Sequence, residues 1–122
     1  MHSTIDGKVT ADCPGREILS HLASRWGFLT MLALQDGPQR FHVLRDRIDS
    51  CSEKMLSQTL AALVRDGFVS RSVEPYTPPR VTYELTTLGA ETAPLLRQLS
   101  TWIGAHIPDI ALAQATFDAN RA

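Results

Sequence analysis

At Gly67 the hydrophobic period of the chain changes, and this change constrains the fold more than any other feature. Over residues 50–67, Leu56, Leu60, Leu63 and Val64 recur at i, i+4, i+7 and i+8, a single stripe on a 3.6-residue period. Lys54, Ser57, Gln58, Ala61 and Arg65 fall on the opposite side. The spacing predicts one amphipathic helix. Ser50 with Glu53 fits a capping box, and Ser52 is the alternative cap. Gly67 after Asp66 fits a left-handed glycine closing the helix. Beyond Gly67, Val69, Arg71 and Val73 alternate with Phe68, Ser70 and Ser72. Val81, Tyr83 and Leu85 alternate with Arg80, Thr82 and Glu84. These runs predict two strands. Glu74-Pro75-Tyr76-Thr77-Pro78-Pro79 between them predicts a stiff, extended hairpin tip.

Upstream, three further helices are expected. Pro14 and Glu17 suit the first turn of one, with Ile18, Leu19 and Leu22 on its apolar side. Ser24-Arg25-Trp26 opens the second, in which Trp26, Leu29, Leu32 and Ala33 recur at helical spacing, and Asp36-Gly37-Pro38 ends it. A short third runs from about Arg40 to Ile48. After the strands, Thr86 or Thr87 caps a long helix with Leu88, Leu95, Leu96, Leu99, Trp102 and Ile103 on its apolar face and Pro94 inside it. A last helix is expected over residues 109–117, with Pro108 in its first turn. The order is four helices, two strands and two helices, a mainly α (α+β) chain. Helix-turn-helix followed by a two-stranded wing is the winged-helix arrangement, in which the second helix of the pair enters the DNA major groove. Residues 1–12 read as a mobile N-terminal arm, and residues 13–122 as one winged-helix DNA-binding and dimerisation domain.

Net charge is −1, and residues 39–85 carry a basic surplus of only one. Any nucleic-acid site is therefore a local patch and not a polycationic surface. The sequence has no apolar run of membrane-spanning length and no secretory signal, and two cysteines do not make a disulfide framework. A cytoplasmic protein with free thiols is expected, with no membrane partner.

Ordered motifs carry a resemblance. They are Cys13-Pro14, Arg25-Trp26, Gly37-Pro38-Gln39-Arg40-Phe41, Leu44-Arg45, Ser52-Glu53-Lys54-Met55-Leu56-Ser57-Gln58-Thr59-Leu60, Asp66-Gly67-Phe68-Val69, Pro78-Pro79-Arg80-Val81-Thr82-Tyr83-Glu84-Leu85-Thr86 and Leu88-Gly89. Over roughly residues 13–103 the chain resembles the HxlR-type winged-helix transcriptional regulators of the MarR-like superfamily. The resemblance implies a bacterial homodimer, dimerising through its terminal helices and binding double-stranded DNA at a two-fold-related operator. It also implies that Cys13 stands where some relatives carry a redox or electrophile sensor.

The candidate DNA-binding residues are Arg40, Ser52, Lys54, Ser57, Gln58, Arg65 and Arg80. Glutamine can pair in bidentate fashion with adenine, and serine reads either kind of base edge. Lys54 and Arg65 could neutralise phosphates. Arg80 emerges from the Pro-Pro tip, placed for a phosphate or the minor groove. Arg40 sits where the DNA backbone would pass. Cys13 and Cys51 are the redox-sensor candidates. Cys13 precedes a helix N-terminus, which stabilises thiolate, although a small buried hydrophobe reads the same way. Cys51 is either an inert turn residue or a point where thiol chemistry reaches the next helix. His2, His21, His42 and His106 show no metal spacing, so no metal, cofactor or enzymatic activity is expected. Trp26, Trp102, Phe28 and Tyr83 are expected in the core. An apolar pocket at a dimer interface, lined by the first, second and fifth helices, could hold a small effector. The alternative function is a winged-helix protein-interaction module without DNA binding, which the near-neutral charge favours.

Overall fold

The computed structural model describes residues 14–121. The expected 1–12 arm and Cys13 lie outside the described residues. The order is α1 (Pro14–Ala23), α2 (Arg25–Leu34), β1 (Gln39–Arg40), α3 (Phe41–Arg47), α4 (Glu53–Arg65), β2 (Val69–Glu74), β3 (Arg80–Leu85), α5 (Thr87–Ala105) and α6 (Ile107–Arg121). All six helices and the wing fall where the sequence put them, with shifted ends. The last helix is longer than expected, and Arg40 caps α3 instead of opening it.

One strand was not expected. Gln39 and Arg40 pair with Tyr83 and Thr82, giving an antiparallel sheet of order β1-β3-β2. Two residues are too short to show alternation, and β1 exists because β3 offers it an edge. The Gln39 side chain donates from Nε2 to the Ala33 carbonyl at 2.6 Å, and Arg47 donates to the same oxygen at 3.2 Å. The open carbonyl end of α2 is satisfied in this way by the segment that follows it.

Three helix starts, those of α2, α4 and α5, are capped by a side-chain hydroxyl. Ser24 Oγ accepts the Gly27 N–H at 3.1 Å, and Thr86 Oγ1 accepts the Gly89 N–H at 3.2 Å. The capping box on Ser50 does not form. Ser52 caps α4, accepting the Met55 N–H at 3.1 Å, while Ser50 holds a left-handed φ of 65° in the preceding turn. At the far end of α4, Gly67 has a φ of 86°. The Gly67 N–H donates to Val64 and the Phe68 N–H to Leu63, the paired bonds of a Schellman motif.

The core forms where α2 packs on α1, α4, α5, α3 and β3. Met31, Leu34, Leu44, Leu56, Leu60, Leu63 and Val69 are buried there. The α2 stripe sits differently from the expected one: Met31 and Leu34 point inward and Leu29 outward, because α2 is central and buries more than one face. Tyr83 is buried as expected and Trp26 and Phe28 are half-buried, but Trp102 is exposed, since nothing among the described residues covers that face of α5. Val73 is exposed too, because the outer wing projects past the helices. α5 runs unbroken through Pro94, which deprives the exposed Ala90 of its helical donor.

Gly89 lets α5 abut the start of the wing. A Cβ there would stand 2.1 Å from the Phe68 carbonyl oxygen, whereas one on Gly104 would meet nothing within 4 Å. Gly89→Ala is therefore expected to destabilise by about 1–3 kcal/mol. Gly104→Ala is expected to be neutral or to stabilise by up to ~1 kcal/mol. Urea denaturation of the two variants tests this contrast, and equal midpoints would refute it.

Candidate nucleic-acid interface

The two sides of α4 divide sharply. Leu56, Leu60 and Leu63 are fully buried, while Lys54, Ser57, Gln58, Ala61 and Arg65 are exposed. At about 100° per residue, Lys54, Gln58 and Arg65 lie opposite the three leucines, with Ala61 beside them and Ser57 nearer the edge of the outward face. Gln58 also borders a small cavity of about 210 Å³ with Ser20, His21 and Ser24 of the α1 side. Ser52 spends its oxygen on the cap, which leaves its hydroxyl proton free to donate.

The wing meets α3 across a second cavity of about 640 Å³, bordered by Arg40, Arg45, Glu53, Tyr76 and Arg80. Arg80 packs its guanidinium over the Tyr76 ring, 4.1 Å from the centroid, so the tip orders this cation without neutralising it. Arg40 and Arg80 pair with no carboxylate among the described residues. Arg45 is different. It bonds Glu53 at the start of α4 and lies 3.6 Å from Asp46, so most of its charge is met within the protein. The structure thus brings Arg40 and Arg80 to one groove beside the N-terminal half of α4. Arg65 stands apart, at the other end of that helix.

Two features of this region were invisible in the sequence. One is the Arg45–Glu53 pair, which spans the α3–α4 turn. The other is His21 of α1, whose Nδ1 donates to Asp66 Oδ2 at 2.5 Å. The Asp66 side chain is nearly buried, so this bond ties α1 to the C-terminal end of α4. No periodicity or motif links residues so far apart in the chain.

Known proteins share this architecture. The profile of the HxlR-like helix-turn-helix family matches residues 21–111. The chain belongs to that family. Its relatives include the uncharacterized HTH-type transcriptional regulator YtfH of Escherichia coli, 44% identical over 106 residues that cover 86% of this chain and 84% of the relative. The structure of ytfH from Salmonella typhimurium superposes with a TM-score of 0.80 at 45% identity, covering 88% of this chain and 95% of that one. The reduced form of the transcriptional regulator YodB from B. subtilis superposes with a TM-score of 0.65 at 36% identity, over 75% of this chain and 90% of that one.

In this HxlR-like chain Cys51 is half-buried against the core, and its Sγ lies 3.6 Å from the Ser52 carbonyl oxygen. Burial pushes the Cys51 thiol above its ordinary value, because an apolar surrounding disfavours the thiolate. Thiolate is the reactive form, so Cys51 holds less of it than a free thiol does. Among the described residues no group of three or more metal-ligating side chains occurs, and no helix is long and apolar enough to cross a membrane. In a Cys13→Ser variant near pH ~7, iodoacetamide is expected to alkylate Cys51 more slowly than glutathione, with the rate climbing as pH rises. Mass spectrometry of the alkylated fraction checks this, and a rate equal to that of glutathione would contradict it.

Proposed function

We propose that the chain is a homodimeric DNA-binding transcription regulator acting in the cytoplasm, with α4 in the major groove and the β2–β3 wing along the phosphate backbone. The observation that carries the reading is the pairing of an outward polar face on α4 with two carboxylate-free arginines, Arg40 and Arg80, at its flank. Lys54 and Gln58 near the centre of that face, with Ser57 nearer its edge and the Ser52 hydroxyl at its start, are the base-edge readers. Arg40, Arg80 and Arg65 are the phosphate contacts. Membership of a family of transcriptional regulators supports the same assignment. No enzymatic role is proposed.

An exposed apolar face supports the dimer in this reading. Leu95 (62% exposed), Leu99 (52%) and Trp102 (55%) of α5 form an uncovered stripe with Leu88 and Ile103, and α6 adds Leu112 (67%) and Phe117 (60%). A continuous apolar face of this kind marks an interaction surface, and a second copy of α5 and α6 would cover it symmetrically. Residues 13–122 form the DNA-binding and dimerisation unit in this reading, with residues 1–12 as an arm. YodB has structures in a reduced form and after treatment with diamide. Similarity to it supports a response to an oxidant or electrophile through a thiol, with Cys13 and Cys51 as the candidates, and burial lowers the thiolate fraction of Cys51. The net charge of −1 favours one rival, the same fold docking on a protein and not on DNA.

Gel-shift titrations on the DNA upstream of the protein's own gene, run at several salt concentrations, separate these readings. Gln58→Ala is expected to reduce discrimination between operator and unrelated DNA by ~1–3 kcal/mol. Arg80→Ala is expected to weaken binding to all sequences and to lower the salt slope by about 1. Binding that ignores salt, with both variants matching the parent, would support the protein-docking rival.

A further inference from the structure

An α-helix is about 10–12 Å across, and the DNA major groove is about 12 Å wide. A helix lying in that groove therefore has a phosphate strand on each side. On one side of α4 the wing groove offers Arg40 and Arg80, and Glu53 stands in its wall. Ala62 lies about 180° around the helix from Glu53, on the side where α1 packs. There the cavity of about 210 Å³ is walled by Ser20, His21 and Ser24 and by Gln58, Thr59 and Ala62 of α4. No arginine or lysine borders it, and His21 is the one side chain in its wall that can carry a positive charge.

The His21 ring is held for such a contact. Its Nδ1 donates to Asp66 Oδ2 at 2.5 Å, and the Asp66 side chain is 6% exposed against 28% for His21. The carboxylate fixes the proton on Nδ1, so Nε2 accepts in the neutral ring and donates in the imidazolium. Nε2 has no hydrogen-bond partner among the described residues and is not shut away from solvent. Ser24 spends its hydroxyl within the protein, accepting from the Gly27 N–H and donating to the His21 carbonyl at 3.0 Å. Ser20 and Gln58 are exposed at the rim, and both side chains can donate to a phosphate oxygen.

We propose that His21 is a proton-linked contact to a DNA phosphate on the α1 side of α4. As the imidazolium it donates from Nε2 to a phosphate oxygen, with the Ser20 hydroxyl beside it. This rests on the regulator reading above and adds a second strand contact to that of the wing. α1 packs on α2 and α4. The charged side chains of those elements are Arg25 on α2, and Glu53, Lys54 and Arg65 with the capping Asp66 on α4, while α1 itself carries Arg16 and Glu17. Asp66 alone forms an ion pair with the ring among the described residues. It is present with or without DNA. The phosphate is the anion that binding adds, and a second anion favours the imidazolium. Binding therefore takes up a proton, and affinity rises as pH falls.

The test is a set of gel shifts of the full-length protein on the DNA upstream of its own gene and on an unrelated duplex, from pH ~8 to ~5.5. Affinity for both duplexes is expected to rise roughly tenfold as pH falls. The salt slope is expected to steepen by about 0.9 for each His21 engaged. His21→Gln, whose amide can still donate to Asp66, is expected to lose both changes. His21→Arg is expected to show the steeper slope at both ends of the range. Binding calorimetry near pH ~6.5 in two buffers of different ionisation enthalpy is expected to show proton uptake by the parent and none by His21→Gln. Circular dichroism reports the fold of each variant, and the parent's proton uptake decides the matter if a variant unfolds. Affinity indifferent to pH, or a rise that persists in His21→Gln, overturns the contact. So does a loss in His21→Gln that is equal at every pH, which leaves the ring as a support for α4 alone. Failure to bind either duplex at any pH overturns the regulator reading and the contact with it.

Discussion

Burial of the inner face of α4 holds the structure in register. Leu56, Leu60 and Leu63 are each no more than 1% exposed and join Met31, Leu34 and Leu44 in one cluster. Each such side chain contributes about 1.5–3 kcal/mol. Exposed ion pairs contribute at most about 1 kcal/mol. The inner face therefore fixes how α4 rotates about its axis, and Lys54, Ser57 and Arg65 face outward as a consequence. They contribute little to folding themselves, which leaves them free to be chosen for contact. The Ser52 cap, the Schellman closure at Gly67 and the His21–Asp66 bond then set the ends and the tilt of the same helix.

Charge is handled locally. A net charge of −1 gives no long-range pull on a polyanion. What matters is which cations remain unpaired. Arg45 and Arg47 are met by Glu53 and Asp36, while Arg40 and Arg80 beside α4, and Arg25 and Arg97 around the α2–α5 cavity, are not. The paired arginines hold turns together, and among the described cations without a carboxylate partner Arg40 with Arg80, and Arg25 with Arg97, each border one cavity. One of these lies on the proposed DNA side, and the other borders the turn that positions α4.

Much of this was legible in the sequence. The change of period at Gly67 located α4 and the wing, and Ser24, Thr86 and Gly67 marked helix ends by local chemistry that a linear reading can follow. The outward residues of α4 followed from spacing alone. What was missed depends on contacts distant in sequence. β1 exists only through its pairing with β3, and Ser50 lost the capping role to Ser52 because the turn needs it in a left-handed conformation. Trp102 was expected in the core because its helical phase matches Leu95 and Leu99. The phase was right, but the face it defines has no cover among the described residues. Three arginines from α2, α3 and α5 converging on one cavity leave no linear trace at all.

In the proposed dimer, two copies of this chain joined through α5 and α6 set two α4 helices into successive major grooves. Hydroxyl-radical footprinting on an operator fragment reads this arrangement. Two protected patches are expected, related by a two-fold axis and centred about 10–10.5 base pairs apart on one face of the duplex. A single protected patch, or spacing unrelated to the helical repeat, would contradict it.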